Sequence, residues 1–293
     1  MTTLSSSRRQ VITYLVLVFA LSFFFYEPMI SAGKMSQVLV FGLMWCPGVA
    51  ALITRLVFQR NLRGIGWGWG RTRYQAVSYL LPLAVALPVY GLFWATGLAG
   101  LSTEQLTTAM TRQTGREVPL VVILLLLATV GFLMSCLTAL GEELGWRGLL
   151  APELSRITSF RNTVLISGAV WAVYHYPLIL FADYNSGAPK WFVMLCFTWM
   201  VFMATIGFTW LRLKSGSVWT AVILHASHNL FIQQVFDAIT TDRGPTEYLT
   251  TEFGLGLALA YTAVAWICWR RRGEVERAAP LPEDVATLPV PAS

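Results

Sequence analysis

Residues 118–150 read VPLVVILLLLATVGFLMSCLTALGEELGWRGLL. Positions 118–141 carry no charge, and about 20 apolar residues are enough for a helix to cross the hydrocarbon of a bilayer. Lipid offers no hydrogen-bond partner to a bare backbone, so such a run must be helical. Glu142, Glu143 and Arg147 follow directly, and the first strong helix breaker is Pro152. The spacing therefore predicts a helix that continues to about Leu150 and carries its charges inside or just beneath the membrane.

Seven other uncharged runs of similar length flank this one: 10–26, 35–54, 74–103, 162–182, 191–211, 215–236 and 253–269. The third is long enough to include a loop at Gly97–Gly100. The expected fold is all-α: a polytopic membrane protein of about eight transmembrane helices, with the motif-bearing helices around a cytoplasm-facing cavity. Composition agrees, since 56% of the 293 residues are hydrophobic and 12% charged, about half the charge of a soluble domain. The net charge of +6 comes from residues scattered between apolar runs, so no nucleic-acid partner is expected. The four cysteines, Cys46, Cys136, Cys196 and Cys268, form no CxxC pair and read as small packed residues. Trp67, Trp69, Trp219 and Trp269 lie near run ends and read as interfacial belt residues.

The basic residues set the orientation. Arg8 and Arg9 precede the first run; Arg55 to Arg73 follow the second, Arg147 to Arg161 the fourth, Arg212 and Lys214 the sixth, and Arg270 to Arg272 the eighth. The alternate connections are poorer, so both termini are expected in the cytoplasm. The expected location is the plasma membrane of a bacterium or archaeon. Arg8–Arg9 before an apolar run also resembles a signal peptide, but Ile30-Ser31-Ala32 is a poor cleavage site, and a retained first helix is expected. Residues 1–272 read as one transmembrane domain with its motif core at about 118–237. Residues 273–293, rich in Pro, Ala and acidic side chains, read as a disordered cytoplasmic tail.

Ionisable residues in a spanning segment are costly and mark functional sites. Three clusters qualify. Glu143 and Arg147 are one helical turn apart and can pair, whereas Glu142 is rotated by about 100° from Glu143 and has no built-in partner. A desolvated lone carboxylate can serve as a base. Trp171 to His175 lies in the fifth run, and His225 to Asn229 in the seventh, where His225 and Asn229 share a face. With cytoplasmic helix ends near Leu150, Thr163 and Ser215 and about 1.5 Å per residue, Glu142, His175 and His225 lie roughly 12, 18 and 15 Å inside. The clusters can therefore meet. Each has a plainer reading by itself: the glutamates as a juxtamembrane charge cluster, the histidines and Asn229 as interhelical hydrogen bonders. No role for His228 follows from the sequence.

Taken in order, Glu142-Glu143-Leu144-Gly145-Trp146-Arg147, Trp171 to His175 and His225 to Asn229 resemble the EExxxR, FxxxH and HxxxN motifs of the CAAX protease and bacteriocin-processing (CPBP, Abi) family of intramembrane glutamic endopeptidases. That family includes the Ras-converting CAAX prenyl protease. The likeness covers roughly residues 118–237, and Trp171 stands where the family usually has Phe. It implies that Glu142 and His175 hold and deprotonate the attacking water, that His225 and Asn229 stabilise the oxyanion, and that Glu143 and Arg147 form a structural ion pair. It further implies a metal-independent protease without cofactor, acting on a peptide or protein that is prenylated or membrane-associated. Two other readings stay open here. Histidines and a glutamate are also a zinc-ligand set, although no HExxH is present. A non-catalytic immunity or scaffold protein could keep the same helices.

Overall fold

The computed structural model describes residues 3–276. Among them, helices α1 (Thr3–Ala32), α2 (Gln37–Gln59), α3 (Thr72–Ala95) and the short α4 (Glu104–Thr114) come first. They are followed by α5 (Leu120–Ile157), α6 (Phe160–Phe181) and α7 (Lys190–Ser215). Helix α8 (Val218–His228) runs on through a π-helical segment, Asn229–Phe236, and α9 (Leu255–Arg270) follows. Two-residue strands β1 (Gly100–Leu101) and β2 (Thr240–Thr241) pair antiparallel between connections. Gly273–Glu276 forms a single helical turn, and the rest of the expected tail, 277–293, lies outside the described residues.

Helices α1, α2, α3, α5, α6 and α7 are long and apolar enough to cross a membrane. The chain is an integral membrane protein of all-α architecture. Every one of the eight expected runs is helical, but the last two differ from the rest. The α8 run carries Ser227, His228, Asn229, Gln233 and Gln234; Val218–His228 is buried almost throughout, and Gln233 and Gln234 donate to Glu252 and Ser135 at 3.0 Å each, so protein groups receive these polar side chains. Helix α9 has only 16 residues. The expected loop after the third run is present, since α3 stops at Ala95.

Helix α5 departs from expectation by passing through Pro152 to Ile157. The reason lies just before the proline. Trp146–Leu150 is a π turn, whose wider i→i+5 spacing relieves the clash of the pyrrolidine ring with the preceding turn. Glu142 consequently sits about 22 Å from the helix end rather than about 12 Å.

Glycines hold α5 against α2. A Cβ at Gly141 would lie 2.6 Å from the Met44 carbonyl oxygen, and one at Gly48 2.6 Å from that of Gly141. One turn on, a Cβ at Gly145 would lie 2.7 Å from the Pro47 carbonyl oxygen. Small residues let membrane helices touch backbone to backbone, and here that contact brackets the two glutamates. Helix α8 sits at the centre, among α3, α5 and α7.

The connections fall at two ends of the bundle. At one end Arg212 Nη2 donates to the Ile65 carbonyl at 2.9 Å, Trp210 Nε1 to that of Arg271 at 3.1 Å, and Lys214 pairs with Glu274 at 2.9 Å. At the other, the Met35 amide donates to Asp183 at 3.0 Å, Ser186 to the Glu247 carbonyl at 2.9 Å, and Trp94 to Thr240 at 3.1 Å. The first end carries most of the basic connections.

Candidate active site

A cavity of about 700 Å³ lies within the bundle and is lined by Glu142, His175, His225 and Asn229 together. Three separate helices, α5, α6 and α8, supply them. The structure therefore gathers all four side chains that the sequence singled out, along with His228.

Glu142 is 3% exposed, and its Oε2 accepts two indole N–H groups, from Trp146 at 3.1 Å and Trp171 at 3.3 Å. Two uncharged donors orient this carboxylate without neutralising it. Trp146 is one turn along the same helix, while Trp171 comes from α6. The sequence marks Trp171 only as standing where the resembled family usually has Phe, and gives Trp146 no part; indole donors are visible only once the helices are placed.

His175 Nδ1 donates to the Trp171 carbonyl at 2.9 Å. A carbonyl can only accept, so the neutral ring carries its proton on Nδ1 and keeps Nε2 as a base. The ring packs against Phe197 with centroids 5.2 Å apart. Tyr174 braces the same turn of α6 by donating to the Leu43 carbonyl at 2.8 Å.

Glu143 is fully buried and does two things. Its carboxylate takes Arg147 Nη1 at 2.9 and 3.2 Å, and its Oε1 takes His225 Nδ1 at 2.9 Å. The Arg147 guanidinium lies between the Trp171 and Phe208 rings, 4.2 and 4.4 Å from their centroids, an arrangement that favours a buried cation. The sequence offered the Glu143–Arg147 spacing but not the link to His225, which spans 82 positions. That link matters for His225. With Nδ1–H given to Glu143, an uncharged ring has no N–H left, so His225 can donate from Nε2 only as an imidazolium.

Asn229 begins the π segment of α8, and its backbone N–H reaches the carbonyls of His225 and Ala226. His228 belongs to a second polar group. Its Nδ1 meets the Tyr261 hydroxyl at 2.8 Å and its Nε2 comes within 3.6 Å of Glu252. Glu252 also accepts from Tyr184 at 2.5 Å and from Gln233 at 3.0 Å. Burial acts to raise the Glu252 pKa, but contacts with His228 and Tyr184 outweigh it and hold the carboxyl below its usual range. Glu252 and Tyr184 stand in connections, where no periodicity marks them, and only the folded chain brings them to the cavity.

Toward the end that holds most basic connections, Trp146, Arg147, Leu149, Ile65 and Arg212 are all essentially inaccessible. Its exposed lining residues, Gln37, Phe41 and Asp183, stand at the opposite end. His175 lies six residues from the end of α6 at Phe181, about 9 Å. The start of α1 at Thr3 and the end of α9 at Arg270 lie at the other end of the bundle from these exposed lining residues.

Residues 119–231 match the family described as Type II CAAX prenyl endopeptidase Rce1-like. A protein of Methanococcus maripaludis named CAAX prenyl protease 2 is 34% identical over 133 residues, 43% of this chain and 43% of that protein. The chain thus spans less than half the length of that curated relative. All four polar residues gathered from α5, α6 and α8 fall inside the matched segment. The resemblance read from the three motifs is borne out: over residues 119–231, which supply Glu142, His175, His225 and Asn229, this chain is similar to the Rce1-like type II CAAX prenyl endopeptidases.

Proposed function

We propose that this chain is a membrane-embedded endopeptidase that hydrolyses a peptide bond with a water activated by Glu142 and His175. The observation that carries this reading is the convergence of Glu142, His175, His225 and Asn229 on one cavity. Water bound between the Glu142 carboxylate and His175 Nε2 gives up a proton to this pair as its oxygen attacks the carbonyl carbon. The resulting oxyanion accepts from the His225 imidazolium Nε2–H and the Asn229 carboxamide, donors of a kind typically worth a few kcal/mol of barrier each. The C–N bond then breaks, and the proton held by the Glu142–His175 pair passes to the leaving amine. Glu143 and Arg147 hold His225 and the motif helix in place.

The reading is metal-independent. Among the described residues, no three His, Cys, Asp or Glu side chains are grouped so as to hold a metal ion. Leu178, Phe197, Met200, Val201 and Ala204 make one wall of the cavity apolar, which suits a hydrophobic, membrane-associated substrate. A prenylated substrate accords with the name of the Methanococcus relative.

Terminal-peptide proteomics on cells carrying the natural chain or Glu142→Gln tests the proposal. Neo-termini present with the natural chain and absent with Glu142→Gln, at equal membrane levels, are expected. Full biological activity of Glu142→Gln overturns the protease reading, and loss of cleavage on chelation with recovery on added zinc overturns the metal-independent mechanism.

A further inference from the structure

We propose that Glu252 is a specificity-determining residue whose carboxylate takes a cationic side chain, that of Lys or Arg, from a substrate residue close to the scissile bond. This deepens the protease reading and rests on it for that bond, while the cation subsite itself stands on separate observations.

The first is an unused acceptor. Glu252 is 7% exposed and lines the cavity. Its Oε1 accepts from the Tyr184 hydroxyl at 2.5 Å and from Gln233 Nε2 at 3.0 Å. Among the described residues, its Oε2 has only His228 Nε2 beside it, at 3.6 Å, too long for a hydrogen bond. Burial works against the charge, but contacts with His228 and Tyr184 outweigh it and hold the carboxyl below its usual range. A buried carboxylate oxygen left without a donor is costly, and an entering cation removes that cost.

The second is the sign of the cavity. Glu142, Asp183 and Glu252 line it, and no Lys or Arg does. The Arg147 guanidinium beside it is already paired with Glu143. A cleft lined by one sign of charge between apolar walls focuses its field on whatever enters. Here that field favours a positive group.

The third is the aromatic surround. The Tyr184 ring lies 6.1 Å from that of His175 and 6.3 Å from that of Phe197. Aromatic faces attract ammonium and guanidinium groups, so this wall suits both the apolar stem and the charged head of a long basic side chain. Tyr184 touches His175 with its ring and Glu252 with its hydroxyl, which puts the carboxylate within about three extended residues of His175.

The segment that presents Glu252 is also pinned. Thr251 holds a left-handed φ of 61°, its amide donates to the Tyr90 hydroxyl at 3.1 Å, and the Phe253 amide donates to Thr251 Oγ1 at 3.2 Å. A β-branched residue in that region is strained and persists only where its surroundings enforce it.

The test uses the full chain in detergent and internally quenched heptapeptides, randomised except for one position held as Lys or as norleucine, its uncharged counterpart. At one position or more the natural chain is expected to cleave the Lys set about 10- to 100-fold faster, the range for a hydrogen bond to a charged group. Glu252→Gln is expected to erase that ratio. A purely structural role would slow both sets together and leave the ratio intact, which overturns the proposal, as does equal cleavage of the two sets by the natural chain. If Glu252→Gln does not fold, Glu252→Asp decides. It draws the charge back by one methylene and is expected to shift the preference from Lys toward the longer Arg; an unchanged Arg-to-Lys ratio overturns the proposal.

A binding arm separates the subsite from the protease reading. Glu142→Gln is expected to bind fluorescent, unquenched Lys heptapeptides about 10- to 100-fold tighter than the norleucine set, and Glu142→Gln with Glu252→Gln to bind both alike. Equal binding of the two sets by Glu142→Gln, or binding of neither, overturns the cation subsite. Lys-selective binding without cleavage of either set by the natural chain supports the subsite and counts against the protease reading alone.

Discussion

His225 Nδ1 lies 2.9 Å from Oε1 of Glu143, the same oxygen that Arg147 Nη1 reaches at 2.9 Å. A buried acid that looks from the sequence like half of a helix ion pair therefore also aims the imidazole of another helix. Glu143 is on this account a positioning residue for His225. Glu143→Gln should lower kcat by roughly 10- to 100-fold with little change in KM, since the lost interaction acts in the transition state. The double variant with His225→Gln should be no slower than His225→Gln alone. Additive losses in that cycle would show that Glu143 acts independently of His225.

Trp146 and Trp171 both donate to Glu142 Oε2. Trp171→Phe keeps an aromatic face for Arg147 but removes one N–H, and it should fold normally while turning over about tenfold more slowly. Trp146→Phe together with Trp171→Phe leaves that oxygen without either indole, and a hydrogen bond to a charged group contributes about 1.5–3 kcal/mol. A larger loss of kcat is expected, with an unchanged circular-dichroism spectrum in detergent. A double variant as active as the natural chain would remove the indoles from the mechanism.

At Gly141 a Cβ would meet the Met44 carbonyl oxygen at 2.6 Å and Trp45 Cα at 2.9 Å, both backbone atoms. Gly141→Ala should destabilise the protein by about 1–3 kcal/mol, the usual range for overpacking, and shift Glu142 out of reach of Trp171. Thermal unfolding in detergent reads the first effect and residual cleavage by the folded fraction the second. Gly91, where a Cβ meets nothing within 4 Å, is the control, and Gly91→Ala should leave the transition in place.

Asp237 follows the last turn of the α8 extension and accepts from the Tyr90 hydroxyl. Burial pushes its carboxyl from 3.8 up to about 7, and the nearby Glu252 charge adds to this against the Tyr90 hydrogen bond. The folded chain therefore holds this proton more tightly than the unfolded one does. The stabilisation is full below about pH 4 and is lost as the pH rises through about 7. The melting temperature should fall over that window, and Asp237→Asn should flatten the fall. An unaltered slope in Asp237→Asn would assign the pH dependence to other groups.

Much of this was legible in the sequence because a bilayer constrains it so strongly. A backbone in lipid has to be helical, so uncharged stretches near 20 residues marked every long helix of the bundle. Helical geometry gave the Glu143–Arg147 pairing and set Glu142 on another face. The cost of burying ionisable groups picked out Glu142, His175 and His225 from a chain with few candidates in its spans. Periodicity could not foresee the π turn that carries α5 through Pro152, since it arises from local backbone widening rather than from composition.

What the sequence determined by itself is the helical membrane fold and the side chains that would be expensive unless sheltered, because both follow from one-dimensional rules of length and burial. What only the tertiary structure decided is the set of contacts made across helices: the indoles on Glu142, the Glu143–His225 link and Glu252 beside His228. Each of these depends on the rotation and close approach of whole helices, set by backbone contacts such as that of Gly141 with Met44, and no spacing along one chain encodes a distance between two helices.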